Sequence, residues 1–179
     1  EKGIVVFNTP GANANAVKEL VLCALLVASR NVVEGVEWAK TLIGEGDQIP
    51  KLVEKGKSQF VGPELMGKTL GVIGLGAIGV MVANAAVAMD MDVIGYDPFL
   101  SVDAALRLSR SVKLAKTQEE LLGRSDFLTL HLPQTAKTEG MINRNVLAAV
   151  KPGTILLNFA RGGLIDDDAV IEALGSGQL

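Results

Sequence analysis

Gly74, Gly76 and Gly79 stand at G-x-G-x-x-G spacing directly after the apolar run Thr69-Leu70-Gly71-Val72-Ile73. The pattern has a chemical use. The first glycine makes a tight turn, the second lets backbone approach a pyrophosphate, and the third lets helix and strand pack closely. The phosphates then meet the free N–H groups at the helix start, where the dipole favours negative charge. With 20 glycines in 179 residues a chance match is plausible, so the pattern alone is a weak signal and context decides.

Asp97 supplies context. It ends the next apolar run, Asp92 to Tyr96, at about the ~20-residue distance where a dinucleotide site places an acid on the ribose hydroxyls. An acid there also repels a 2′-phosphate, and Pro98-Phe99-Leu100-Ser101 brings no arginine, so NAD is expected rather than NADP. Asp97-Pro98 also has the form of a simple turn. Arg161 follows the run Thr154 to Asn158 and precedes two glycines. An arginine at a strand end suits a planar carboxylate through a bidentate pair, and equally suits a solvated loop; spacing does not choose. His131, the single histidine, lies in a strand-end His-Leu-Pro and is read as structural or cofactor-lining rather than as a general base. No metal site is expected, since there is no second histidine and no paired cysteine. Asp166 reads as a helix cap, with Asp167 and Asp168 in the first turn.

These residues need strand ends and helix starts to hold them. From Thr69 the chain alternates: strands at 69–73, 92–96, 112–114, 127–132 and 154–158, with helices at 78–89, 102–108, 119–122, 143–150 and from Asp166 to 174. That alternation predicts an α/β fold, a Rossmann-like doubly wound parallel sheet with helices on both faces. Ligands of such sheets bind beyond the carboxyl ends of the strands, which gathers Gly74–Gly76, Asp97-Pro98, His131-Leu132-Pro133 and Phe159-Ala160-Arg161 at one cleft. Before the alternation, Gly3 to Phe7 reads as a short strand stopped by Asn8-Thr9-Pro10-Gly11. A helix capped by Asn13 or Asn15 then runs to about Arg30. Its apolar positions, among them Val17, Leu20, Val21, Ala24, Leu25 and Ala28, leave little polar face. It is therefore expected to pack on its own sheet and on a second subunit. Residues 31–57 form a more polar, partly helical arm that Trp38 helps to bury.

Hydrophobic residues make up 49% of the chain but aromatics only 4%, which calls for an aliphatic core of the kind parallel sheets bury. The net charge of −3 comes with no basic cluster, which argues against nucleic acid and anionic membrane as partners. Cys23, the single cysteine, is expected in the core and in a reducing compartment, hence the cytoplasm. The apolar run from Leu20 to Ala28 is too short to span a bilayer. The chain opens without Met, close to a strand, and reads as an internal piece of a longer polypeptide.

Several stretches taken together resemble the D-isomer-specific 2-hydroxyacid dehydrogenase family. They are Phe60 to Gly79, Gly95-Tyr96-Asp97-Pro98, His131-Leu132-Pro133 with Thr135 and Thr138, and Asn158-Phe159-Ala160-Arg161-Gly162-Gly163-Leu164-Ile165-Asp166. The resemblance covers essentially the whole chain. It implies hydride transfer between C2 of a 2-hydroxy acid and NAD, with Arg161 holding the substrate carboxylate and carbonyl. It places Ala77 and Ile78 on the pyrophosphate, Asp97 on the adenosine ribose, Leu132 and Pro133 on the adenine side, and Phe159 and Ala160 along the nicotinamide half. Residues 1–9 would be the last strand and hinge of a substrate domain. Residues 10–179 would be the NAD-binding domain, with an interface helix and arm at 10–66 and a nucleotide core at 67–179. The helix around residues 15–30 would make a homodimer or a higher homo-oligomer. The family's acid/base histidine and its glutamate would lie beyond Leu179, so this piece alone is expected not to catalyse. Phe7-Asn8-Thr9-Pro10 and Tyr96-Asp97-Pro98 favour the branch that oxidises 3-phosphoglycerate at the start of serine synthesis. Two alternatives stand beside it: another hydroxyacid, glyoxylate or hydroxypyruvate reductase, and a non-enzymatic NAD-sensing corepressor on the same scaffold.

Overall fold

The computed structural model describes residues 3–5, 7, 9 and 11–179. In chain order the elements are α1 (Ala14–Ser29), α2 (Val32–Thr41), α3 (Ile49–Gly56), β1 (Thr69–Ile73), α4 (Ala77–Ala88), β2 (Asp92–Tyr96), α5 (Val102–Arg107), β3 (Lys113–Leu114), α6 (Gln118–Leu122), β4 (Phe127–Leu130), α7 (Arg144–Ala148), β5 (Ile155–Asn158) and α8 (Asp167–Ser176). The strands form one parallel sheet in the order β3-β2-β1-β4-β5. The order reverses beside β1, which pairs with β2 on one side and β4 on the other. This is the doubly wound arrangement expected from the alternation.

Strand alternation divides the core between the two faces. Leu70 and Val72 of β1, Val93 of β2 and Phe127 of β4 pack with Val21 and Leu25 of α1 and with Val80, Val82, Ala83 and Ala86 of α4. Ile73, Ile94, Leu128 and Leu130 point the other way, onto Leu121, Leu122, Leu147, Ala169 and Ala173 of α6, α7 and α8. The helix α4 is Ala/Val-rich all round because it is covered twice, by the sheet and by α1. Ser101, Thr117, Asn143 and Asp166 each accept a first-turn N–H and set the starts of α5, α6, α7 and α8. Below the sheet, Asp126 accepts from the Thr69 N–H (2.8 Å) and the Lys151 ammonium (2.9 Å). Partial burial alone would raise its pKa, but these partners outweigh it and hold the carboxyl below its usual value.

Four expectations need correction. Gly3, Ile4, Val5 and Phe7 form no strand and are exposed, while Val6, Asn8 and Pro10 lie outside the described residues. Neither Asn13 nor Asn15 caps α1 with its side chain; Asn15 bonds Glu19 and Lys18 instead, an i,i+4 and i,i+3 surface pairing that competes for its amide. Cys23 is exposed, because the buried face of α1 is the stripe Ala14, Val21, Leu25 and Ser29, and Cys23 lies off it with Leu20 and Leu26. Finally, β4 stops at Leu130, two residues before the expected end. The arm is more helical than expected, with α2, α3 and single 3-10 turns at Gly46–Gln48 and Lys57–Phe60. Its own small contact is the Trp38–Phe60 ring pair, centroids 5.2 Å apart.

Candidate functional site

The chain leaves β1 at the point where strand order reverses, the position where doubly wound sheets open a crevice. Gly74 turns there with φ +92°, a left-handed value that disfavours any side chain, and its N–H donates to the Tyr96 carbonyl (2.9 Å). A Cβ on Gly74 would stand 2.6 Å from the His131 carbonyl oxygen, and one on Gly79 would strike the carbonyl of Gly74 itself. These two glycines are therefore required by the protein's own packing. Gly76 is different. Its φ of −76° is open to any residue, and a Cβ there would meet nothing within 4 Å. The space above Gly76, at the start of α4, is open. Val80 is the first α4 residue whose N–H bonds back, to Gly76 (3.0 Å), so the N–H groups of Ala77 and Ile78 remain as donors at that end.

Asp97 follows β2 and reaches into the glycine turn. One carboxylate oxygen accepts from the Leu75 N–H (2.8 Å) and the other from the Phe99 N–H (2.8 Å). It is both a turn residue and a brace for the loop, and it lines a largely apolar cavity of about 340 Å³. Ile73, Tyr96, Phe99, Leu132, Pro133 and Met141 line that cavity.

A second cavity of about 300 Å³ lies across Leu132 and Pro133, which line both. Its walls are Asn13 and Val17 of α1, Ile78 of α4, His131, and the Phe159-Ala160-Arg161 loop after β5. His131 continues the alternation of β4 and shares the α1/α4 face with Thr129, whose hydroxyl lies 3.1 Å from its Nε2. Burial pushes the imidazole down to about pKa 4, so it is neutral at pH 7. Arg161 is exposed at the cavity mouth, where one guanidinium nitrogen donates to the Ala160 carbonyl (2.7 Å). The loops after β4 and β5 are laddered together. Gly140 N–H donates to Gly163 (2.8 Å), Ile142 N–H to Leu164 (3.0 Å) and Asp166 N–H to Ile142 (3.0 Å).

The structure thus brings Gly74, Gly76, Ala77, Ile78, Gly79, Asp97, Leu132, Pro133, Phe159, Ala160 and Arg161 to one edge of the sheet. Asp97 lines one cavity, Ile78, Phe159, Ala160 and Arg161 line the other, and Leu132 and Pro133 line both. Sequence reasoning missed the part of α1, since nothing local ties Asn13 and Val17 to a cleft made by residues some 60 to 150 positions later. It also missed Asn158, whose Asn-x-x-Arg spacing at a strand end is the form of an Asx turn. Among the described residues no three His, Cys, Asp or Glu side chains gather as metal ligands, and no helix is long and apolar enough to cross a membrane.

Residues 22–179 match the family model of the D-isomer specific 2-hydroxyacid dehydrogenase NAD binding domain. The chain belongs to that family, and its cofactor is NAD. It is 44% identical over 179 residues to a D-3-phosphoglycerate dehydrogenase of Methanocaldococcus jannaschii, covering all of this chain and 32% of that protein. It is 40% identical over 179 residues to a hydroxypyruvate reductase of Thermotoga maritima, covering all of this chain and 53% of that one. Among solved structures, the D-lactate dehydrogenase from Aquifex aeolicus complexed with NAD and lactic acid superposes with a TM-score of 0.80 at 32% identity, over 99% of this chain and 50% of the other. The chain spans about a third of the length of the phosphoglycerate dehydrogenases it matches.

Proposed function

We propose that this domain serves an NAD-dependent dehydrogenase that oxidises 3-phosphoglycerate to 3-phosphohydroxypyruvate, the first step of serine synthesis, in the cytoplasm. The observation that carries the reading is Arg161 on a cavity that shares its Leu132 and Pro133 wall with the cavity lined by Asp97. The relatives named for this activity support the choice of substrate.

In this reading the N–H groups of Ala77 and Ile78 hold the pyrophosphate over Gly76. Asp97 accepts from the adenosine ribose, and Leu132 and Pro133 form the adenine-side wall. Phe159 and Ala160 lie along the nicotinamide half, whose chemistry is to accept hydride from C2 of the hydroxy acid. Arg161 binds the carboxylate and the carbonyl that forms, through paired charge-assisted bonds that fix C2 against the cofactor. His131, neutral and with a hydroxyl rather than a carboxylate beside it, lines the site and is not the base. The hydroxyl proton leaves to a base from another part of the polypeptide. A second copy of the chain covers the exposed Leu20, Cys23 and Leu26 of α1. Interface cores bury apolar groups of this kind.

A second reading, hydroxypyruvate reduction, has the Thermotoga relative in its favour, which this chain covers more fully. Steady-state turnover of the full-length protein separates the two. The expected result is a higher kcat/KM for 3-phosphoglycerate than for unphosphorylated 2-hydroxy acids. A higher value for glycerate would overturn the phosphorylated substrate.

A further inference from the structure

We infer that Asn158 is the positioning residue for Arg161. Asn158 is the last residue of β5, and its side chain folds back over the loop that follows. Its amide oxygen accepts from the Ala160 N–H (3.0 Å), and its amide nitrogen donates to the Arg161 carbonyl (2.8 Å). The two partners fix which end of the amide is which, because one can only donate and the other can only accept. One planar group therefore holds the peptide units on both sides of the Ala160–Arg161 bond. Besides the Arg161 guanidinium's own bond to the Ala160 carbonyl (2.7 Å), no other side-chain bond reaches this stretch of backbone among the described residues; the Arg161 carbonyl also accepts a long 3-10 bond from Leu164 (3.3 Å). Asparagine is the residue that fits. A serine presents a single oxygen on a shorter stem, and an aspartate offers no donor to the carbonyl of Arg161.

The inference rests on Arg161 being the substrate-carboxylate arm. Loss of the Asn158 bridge leaves the guanidinium in place chemically but frees the turn that aims it. Misplacement by about 1 Å is enough to cost on the order of 100-fold in rate. Ala77, Ile78 and Asp97 sit on other loops, so the pyrophosphate and adenosine contacts should be kept, and any loss of cofactor affinity should be confined to the nicotinamide-side contact of Ala160, which the bridge also holds.

The test is a double-mutant cycle in the full-length protein, Asn158→Ala and Arg161→Ala singly and together, with kcat, KM and NADH affinity measured for each. The expected result is that Asn158→Ala lowers kcat/KM for the hydroxy acid by about 10- to 100-fold in the parent and changes it little once Arg161 is alanine. NADH affinity should fall far less than turnover throughout. An equal loss in both backgrounds would overturn the inference, and so would loss of NADH binding in step with turnover, since either outcome makes Asn158 a general structural residue. Unimpaired turnover in Arg161→Ala alone would instead overturn the reading of Arg161, and the inference with it.

Discussion

The loops after β1 and after β5 leave the same edge of the same sheet, yet they are held by different means. The glycine turn is fixed from within: Gly74 and Gly79 are pressed against backbone carbonyls, and the Asp97 carboxylate ties Leu75 to Phe99. Its proposed ligand contacts are backbone N–H groups, which no side-chain change removes. The Arg161 loop is exposed, its proposed contact is one long side chain, and its aim depends on one amide, that of Asn158. The first loop is built to be invariant in shape, and the second concentrates its function in a single group. The difference teaches where substitutions should act: on fold and cofactor at one end, on turnover at the other.

The largest effect is expected from Arg161→Ala in the full-length protein, with kcat/KM for the hydroxy acid falling by about 2–5 kcal/mol in transition-state terms and NADH affinity little changed. A parallel loss of NADH affinity in titration would break the separation of the two ends. Next comes Gly79→Ala, which drives a methyl into the Gly74 carbonyl and should cost about 1–3 kcal/mol of folding stability by urea unfolding. Gly76→Ala sharpens the contrast, since the protein has room for the methyl and a pyrophosphate seated over Gly76 as proposed would not. Its urea midpoint should match the parent while NADH affinity falls by about 1–2 kcal/mol. Equal affinity would remove the pyrophosphate from above Gly76.

Asp97→Ala removes the acid that repels a 2′-phosphate along with the brace on Leu75. The preference for NAD over NADP should fall by about tenfold, ~1.4 kcal/mol, in paired kcat/KM measurements; an unchanged ratio would leave Asp97 a turn residue only. The last effect is one of pH dependence, at His131. The unfolded chain takes up its proton near pH 6.5 and the folded one only near 4, so acid favours unfolding within that window. Stability is complete above the upper value and is lost as pH falls through the window. His131→Gln should flatten that part of the urea-midpoint curve, and an unaltered slope would show that the ring is not sequestered.

Legibility follows the same division. The strands β1, β2 and β5 and the cap Asp166 could be read locally because apolar alternation and short polar caps act over a few residues. The glycine turn could be read because its three spacings each have a steric cause. What could not be read is long-range. Which face of α1 would be covered depends on where α4 lies, so Cys23 fell on the wrong side. The cleft walls Asn13 and Val17 are set by the same docking. For Arg161 the spacing left two roles open, and the structure adds what spacing lacks, a cavity on which it borders.

The ladder from Gly140 to Asp166 carries a consequence for how this domain tolerates changes in length. Residues 134–137 are exposed and could absorb an inserted residue as a bulge toward solvent. From Gly140 onward each step is bonded across to the loop after β5, with Ile142 and Leu164 fully buried beneath it. An insertion there must slip the ladder by one place. That slip would turn Ile142 out of the core and drag the Gly162–Leu164 turn, and Arg161 with it. Natural or engineered length variation near this ladder should therefore be found before Gly140 and absent from residues 140–142 and 163–166.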